Sequence, residues 1–495
     1  MQNTVPQEFK DYAVKLLGTE RWNKLEGALG DEPSVSIRLN PYKTGDLACD
    51  WSQCDGYDGN VPWAGGAFYL KARPAFTADP LLHAGIYYVQ EAASMFLEQA
   101  IKRYVSSPVK ALDLCAAPGG KSTVLRSCLP QGSFMVCNEP IRQRAQVLAE
   151  NMVKWGHPDV MVTNSYPYAF SPLKGAFDLV VADVPCSGEG MFRKEDDAVS
   201  GWSMDNVMMC RERQREIISQ VWPALKSGGL LIYSTCTLNQ FENEENVAWI
   251  ASEFGAEVLP LDVPSEWGVC GNLLSEEDSD NETGKVPVCH FIPGLTRGEG
   301  FFLAVLRKTS GCEDDGEADF IPSGKKSRSK GKRGEQRTQT LPDHCRQWIQ
   351  GGTGGFEFRI DGARLTAVPA QFAGWCAAVA DKVNVLYCGI VVAELKGKDW
   401  VPSHMLAMSV CLVRTAFPSV DLDYAAAVTY LRKEALMLPE GTPKGFVLLT
   451  YAGVPLGFAK NIGNRANNLY PQEWRIRSSF LPDFSIVKCG NEHKA

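Results

Sequence analysis

The sequence predicts an α/β fold: a parallel sheet with helices on both faces, set between an N-terminal α+β appendage and a β-rich C-terminal part. Three observations predict it. Strand-like and helical segments alternate from about residue 91 to 308, the pattern of strands joined by crossover helices. The run Phe177-Asp178-Leu179-Val180-Val181-Ala182 is almost continuously apolar, as a strand covered on both faces must be. A turn of small residues, Cys115-Ala116-Ala117-Pro118-Gly119-Gly120-Lys121, follows a strand and opens a helix, where backbone N–H groups can approach a ligand.

Each element has its own signal. In residues 1–90, Phe9, Tyr12, Ala13, Leu16 and Leu17 recur at helical spacing, and Ser36-Ile37-Arg38-Leu39-Asn40-Pro41 reads as a strand ended by a turn. Helix 91–104 and strand Ala111-Leu112-Asp113-Leu114 come next. After the small-residue turn follow a helix from about Ser122, strand 133–138, helix 141–155, strand 159–163 and strand 177–182. Helix 210–226 shows Ile218, Val221, Trp222 and Leu225 at i, i+3, i+4 and i+7, with Ser227-Gly228-Gly229 as its stop; strand 229–234 and helix 242–253 close the series.

The apolar pattern lapses over 309–340, so this stretch is expected to be a flexible charged linker. Residues 341–495 differ in kind, with a hairpin signal over 446–458. The expected division is therefore 1–90, 91–308, 309–340 and 341–495.

Composition narrows the class. A chain of 495 residues exceeds one ordinary core, and 45% hydrophobic with 22% charged residues fits a folded protein without a bilayer-spanning run. The polar start lacks the apolar stretch of a secretory signal, and 16 cysteines in so long a chain do not make a disulfide framework; a cytoplasmic monomer is expected. Neither Cys-x-x-Cys spacing nor a histidine cluster suggests a metal. The net charge of −8 is no nucleic-acid signature, yet residues 325–337 carry seven basic side chains against Glu335 alone, a block that either neutralises phosphates or is a solvated tether.

The chemistry centres on two cysteines, each just beyond a strand: Asp183-Val184-Pro185-Cys186-Ser187-Gly188 and Tyr233-Ser234-Thr235-Cys236-Thr237. A thiol can add to carbon 6 of a pyrimidine and make carbon 5 nucleophilic enough to take a methyl group. A lone cysteine is ordinarily a small core residue; two at the ends of neighbouring strands, beside a cofactor-type turn, point to one pocket. Glu139 ends the next strand about 20 residues past the turn, where a carboxylate can accept both hydroxyls of a ribose. Asn164 follows the third strand and Asp183 ends the fourth. Arg193 and Lys194 either hold RNA phosphates or are surface cations, and Arg144 either contacts RNA or Asp183 or lies on a helix surface. In the C-terminal part, residues 460–477 interleave amides, aromatics and arginines, which suits folded RNA or a polar surface.

Ala116-Ala117-Pro118-Gly119-Gly120-Lys121, Asp183-Val184-Pro185-Cys186-Ser187-Gly188-Glu189-Gly190 and Tyr233-Ser234-Thr235-Cys236-Thr237-Leu238-Asn239 together resemble the Sun-type RNA 5-methylcytosine methyltransferases. Gly85 to Ser94 and Gly298-Glu299-Gly300-Phe301-Phe302 match that family too, so the likeness covers residues 1–308. It implies a Rossmann-like core that uses S-adenosylmethionine, with Cys115 to Lys121 around the methionine part, Glu139 on the ribose, Asn164 near the adenine, and Asp183 near both cofactor and base. Members often have an acid where Asn164 stands. The resemblance further implies that Cys236 attacks carbon 6, that Cys186 helps remove the carbon 5 proton or free the product, and that Asp183 can donate to the ring nitrogen. A Thr-Cys thiol beside the Pro-Cys one argues for RNA over DNA. The tail resembles that of the bacterial RsmF branch, whose C-terminal region is PUA-like and whose substrate is small-subunit ribosomal RNA, alone or in the 30S subunit. A transfer RNA cytosine-5 methyltransferase and a non-catalytic ribosome assembly factor are the alternatives.

Overall fold

The computed structural model describes residues 5–46, 51–54, 56–274, 286–309 and 342–478. The basic block at 325–337, and all but the first residue of the expected linker, lie outside the described residues.

The chain begins with α1 (Gln7–Leu29), which bends at Gly18, where φ is +74°. Its inward face carries Phe9, Ala13, Leu17, Trp22 and Leu25. Phe9 meets Phe192 and Trp202 edge-on at 5.0 and 5.4 Å, so the helix braces a loop of the core. Strands β1 (Val35–Leu39), β2 (Tyr57–Asn60), β3 (Ala67–Leu70) and, after α2 (Pro80–His83), β4 (Tyr87–Val89) form an antiparallel sheet in the order β2-β3-β1-β4. Strand β1 ends at Leu39 and the expected turn follows, with the Asn40 amide directed inward and donating to Gly85 O at 2.8 Å and Trp155 O at 3.0 Å. The helix expected over 91–104 splits into a tight turn, Ala93–Phe96, and α3 (Leu97–Tyr104). Glu91 sets that start, its carboxylate accepting from the Ala93 and Ser94 N–H groups at 2.9 Å each.

The central sheet follows: β5 (Lys110–Asp113), α4 (Gly120–Cys128), β6 (Phe134–Asn138), α5 (Arg142–Trp155), β7 (Val160–Thr163), β8 (Phe177–Asp183), α6 (Asp196–Ser200), α7 (Met204–Val221), β9 (Leu225–Thr235), α8 (Glu244–Phe254), β10 (Ala256–Leu259), β11 (Cys289–Phe291) and β12 (Phe301–Lys308). Strands β7, β6, β5, β8 and β9 lie side by side and parallel; β12 then joins β9 antiparallel, with β10 and β11 against it. The chain works outward from β5 in one direction, then returns to place β8 on its other side. Such a reversal opens a crevice at the carboxyl ends of the strands, the place where α/β sheets bind ligands. Val180, Val181, Leu231 and Ile232 are at most 1% exposed, and burying each such side chain contributes about 1.5–3 kcal/mol.

Two boundaries differ from the sequence reading for local reasons. Helix α7 starts at Met204 because Ser203 caps it, its hydroxyl accepting from Asn206 N at 3.2 Å, and it ends at Val221 because Pro223 cannot continue the ladder. Ser227-Gly228-Gly229, expected as a helix stop, lies inside β9 as a bulge. The register jumps there from Phe177 opposite Leu225 to Leu179 opposite Leu230, and Gly228 takes φ +76°.

The C-terminal part supplies β13 (Phe356–Asp361), β14 (Arg364–Pro369), β15 (Val385–Cys388), β16 (Ile390–Lys396), β17 (Asp399–Pro402), β18 (Ser419–Leu422), β19 (Gly445–Tyr451), β20 (Val454–Asn461) and β21 (Ala466–Asn468). These make two four-stranded sheets, β13-β14-β16-β17 and β18-β19-β20-β21, the second holding the expected hairpin. Strand β15 leaves both and pairs antiparallel with β7, which makes it the ninth strand of the central sheet, a contact the sequence did not foretell. No described helix is long and apolar enough to cross a membrane.

Candidate active site

The site is built on the carboxyl ends of β5, β6, β8 and β9. Gly119, between β5 and α4, takes φ +116°, a conformation that favours glycine, and hands the chain to a helix starting at Gly120. That geometry aims Lys121 across the crevice, where Nζ lies 2.9 Å from Asp183 Oδ2. Ser234 Oγ donates to the other oxygen, Asp183 Oδ1, at 2.8 Å. Burial pulls the Lys121 ammonium down, but the charge and hydrogen bond of Asp183, with smaller pulls from Cys236 and Asp113, outweigh it and raise its pKa above the ordinary value. Lys121 therefore stays charged within electrostatic reach of Cys236.

Cys186 and Cys236 come together as neighbouring strands require: their sulfurs lie 2.8 Å apart, and the Cys236 N–H donates to Cys186 Sγ at 3.3 Å. The hydrogen bond with Cys236 and burial push the Cys186 thiol well above its ordinary pKa. Cys186 thus keeps its proton, and either sulfur can donate in the contact between them.

The two cysteine loops are pinned to one another by buried polar groups whose part was not read from the sequence. The Gly190 N–H donates to Cys236 O at 2.7 Å. Glu242 accepts from Ser187 N at 3.0 Å and from Gln214 Nε2 at 2.6 Å, while Glu189 accepts from Leu238 N and Trp202 Nε1, both at 2.9 Å. Asn239 donates to both acids, to Glu189 at 3.1 Å and Glu242 at 2.8 Å. Glycines at 190 and 300 let these loops meet: a Cβ on Gly190 would lie 2.5 Å from Gly300 O and 2.6 Å from Cys236 O. The signal was in the motifs themselves, since acids and amides beside the cysteines need partners once buried.

On the cofactor side, Asp113, Glu139 and Asp183 end neighbouring strands, and the bases paired with acids there are Lys121 and Arg144. Asp113 is fully buried; Ser122 donates to its Oδ2 at 2.7 Å, and Oδ1 has no partner among the described residues. Burial first, then the charges of Asp183 and Glu139, push its pKa up to about 7. Burial also raises the Cys115 thiol, which is therefore an inert part of the turn. This surplus of carboxyl groups and an unclaimed acceptor fit a ligand carrying positive charge and hydroxyls, as the sulfonium, ammonium and ribose of S-adenosylmethionine do.

The remaining residues singled out from the sequence are spread more widely. Arg144 reaches Glu139 Oε2 at 3.5 Å and Ala117 O at 3.1 Å, binding the turn to the second strand rather than touching Asp183. Asn164 spends its amide N–H groups on Glu139 O at 2.7 Å and Pro140 O at 2.9 Å, which leaves its oxygen for a ligand. Arg193 is buried against Glu299 at 2.8 Å, Gly298 O at 2.9 Å and Ala28 O at 3.3 Å; its guanidinium joins three segments and is not presented to a phosphate. Lys194 is open to solvent, with Nζ 3.7 Å from Glu299. In the tail, Asn461 and Asn468 bond backbone carbonyls and Tyr470 is buried, while Asn464, Arg465, Asn467 and Arg477 are exposed.

Comparison with known proteins adds kinship to this geometry. Residues 106–307 match the family described as 16S rRNA methyltransferase RsmB/F, residues 5–92 the N-terminal domain of 16S rRNA methyltransferase RsmF, and residues 417–476 the methyltransferase RsmF PUA domain. The chain is similar to ribosomal RNA small subunit methyltransferase F of Citrobacter koseri, 30% identical over 431 residues, 83% of this chain and 84% of that one. The protein of the same name from Escherichia fergusonii is 31% identical over 464 residues, 88% and 89% of the two chains. A solved methyltransferase homologue from Pyrococcus horikoshii is 25% identical, with a TM-score of 0.51 over 62% of this chain and 96% of its own. NSun6 from Pyrococcus horikoshii with SFG, 19% identical, shares the fold at a TM-score of 0.50 over 63% and 100%.

Proposed function

The chain belongs to the ribosomal RNA small subunit methyltransferase F family, and from that premise we propose that it methylates carbon 5 of a cytosine in small-subunit ribosomal RNA, with S-adenosylmethionine as methyl donor. The observation that carries this reading is the 2.8 Å approach of Cys186 and Cys236 beside the Lys121–Asp183 pair. When bound, the cofactor supplies an electrophilic methyl group.

The chain's residues do the rest. Cys236, as a thiolate that has given its proton to solvent and has the Lys121 ammonium near it, bonds to carbon 6 and places electron density on carbon 5. Asp183, fixed by Lys121 and Ser234, faces the base and is suited to hold a proton at the ring nitrogen as that density develops. After methylation, a water beside the Cys186 thiol takes the carbon 5 proton to solvent, and the Cys236–carbon 6 bond breaks, its electron pair returning to the Cys236 sulfur, to restore the aromatic ring. Cys115 to Lys121 hold the methionine end of the cofactor, Glu139 its ribose, and the oxygen of Asn164 its adenine. Lys194 is the cation next to the Pro-Cys loop open to a phosphate, and the exposed amide and arginine side chains of the tail are suited to the same RNA.

The test is transfer of labelled methyl groups from S-adenosylmethionine to ribosomal RNA from cells lacking this protein, offered naked and as 30S subunits, followed by bisulfite mapping. One or more new 5-methylcytosines in the small-subunit RNA are expected. Label confined to transfer RNA, or none at all, overturns the proposal.

A further inference from the structure

Segment 164–168, beyond the carboxyl end of β7, holds two aromatic rings in the open. Tyr166 and Tyr168 are 56% and 62% exposed, and their rings lie nearly parallel, 7° apart in plane with centroids 5.9 Å apart. Pro167 between them fixes the backbone of a tight turn, and buried Phe170 anchors it.

Looseness does not explain this exposure. Ser165 exchanges hydrogen bonds with Asn138, at 3.0 Å through its N–H and 2.9 Å through its carbonyl, and Asn164 bonds Glu139 O and Pro140 O. From the C-terminal part, Asn384 accepts from Asn164 N at 2.8 Å and donates to Ser165 Oγ at 2.9 Å. The rings are thus mounted on a rigid base at the edge of the cofactor crevice, held from both parts of the chain.

A second observation concerns the adjoining first turn of α5. Arg142 and Arg144 are exposed there in a turn that itself carries no acid, although the positive end of a helix macrodipole favours acids, and Arg144 is held by Glu139 Oε2 at 3.5 Å. Arg142 makes no hydrogen bond or ion pair among the described residues. Placed against the dipole, Arg142 gains nothing for the helix; it suits an anionic chain drawn along the sheet edge, and its neighbour Ile141 is exposed as well.

We propose that Tyr166 and Tyr168 are a stacking platform for an unpaired base of the RNA substrate flanking the target cytosine, with Arg142 on its phosphates. Stacking on an aromatic ring is sequence-tolerant and contributes to the binding of single-stranded RNA without base-edge contacts. The inference rests on the RNA reading above and assigns that substrate a path: from the cysteines at β8 and β9, over the cofactor crevice, to the tyrosines at β7.

The experiment compares wild type with Tyr166→Ala/Tyr168→Ala, Tyr166→Leu/Tyr168→Leu and Tyr166→Phe/Tyr168→Phe. It measures the dissociation constant for small-subunit ribosomal RNA by filter binding and that for S-adenosylhomocysteine by calorimetry. The alanine and leucine pairs should weaken RNA binding by about five- to a hundredfold, the phenylalanine pair should bind like wild type, and the S-adenosylhomocysteine constant should not move. Unchanged RNA binding in the alanine and leucine pairs overturns the platform. So does a parallel loss of S-adenosylhomocysteine affinity, which would make the tyrosines part of the adenine pocket. Methyl transfer is read separately: a wild type that binds RNA through the rings yet methylates none sinks the enzymatic reading and leaves the platform standing.

Discussion

Gly190 and Cys236 meet backbone to backbone, the Gly190 N–H donating to the Cys236 carbonyl at 2.7 Å with the Gly300 carbonyl packed on the same α-carbon. A methyl group at 190 must displace one of these backbones, since neither can swing aside like a flexible side chain. Gly190→Ala should cost about 1–3 kcal/mol of stability and lower methyl transfer by about 10²-fold through misplacement of the Cys236 sulfur. Denaturant unfolding and single-turnover transfer rates check this, and a fully active Gly190→Ala enzyme would mean that the loops are not held in this register.

The two thiols separate by variant. Cys236→Ala should form no adduct and transfer no methyl group, whereas Cys186→Ala should still bond to carbon 6 and then stall. Denaturing gels of each variant with S-adenosylmethionine and ribosomal RNA report this directly: a slowly migrating protein–RNA species is expected for Cys186→Ala alone. If the species appears with Cys236→Ala instead, the two roles are exchanged.

Asp113 gives a pH signature. Its folded pKa, near 7, exceeds the unfolded value near 4, so the stabilisation that its protonation contributes is complete below about pH 4 and drains as pH rises through about 7. An asparagine at 113 has no such titration. Relative to Asp113→Asn, wild type should lose up to about 1.4 kcal/mol per pH unit across that window. Urea midpoints of both proteins from pH 4 to 8 measure it; parallel curves would show that Asp113 is ionised in the fold throughout.

Arg193 and Glu299 form a buried ion pair, their side chains 7% and 4% exposed. Removing one partner strands the other's charge, so Arg193→Ala should destabilise the protein by about 3–5 kcal/mol. RNA affinity of the folded protein should be unaffected. Weaker RNA binding at unchanged stability would instead restore the phosphate contact expected from the sequence.

Much of this arrangement could be read from the chain because it is local. Alternating periodicities set the order of β5 to β9, and that order alone brings residues 186 and 236, 50 positions apart, to one place. Local cues fail where a partner is remote. Arg193 reads as a loop cation until Glu299, 106 residues on, closes over it, and Ser227-Gly228-Gly229 reads as a helix stop because its role as a bulge depends on pairing with β8. Asn164 reads as a ligand-facing amide because nothing nearby reveals that its N–H groups are taken by the turn after β6.

The pairing of Val385–Cys388 with Val160–Thr163 has an architectural consequence. Parallel sheets tolerate an open border poorly, since unsatisfied N–H and C=O groups invite other chains to dock. The segment that seals this border arrives from beyond residue 341, so cutting the protein after 308 would do more than remove an RNA-gripping accessory. It would unseal the frame on which the chemistry is built, and the shortened protein should self-associate more readily than the intact one.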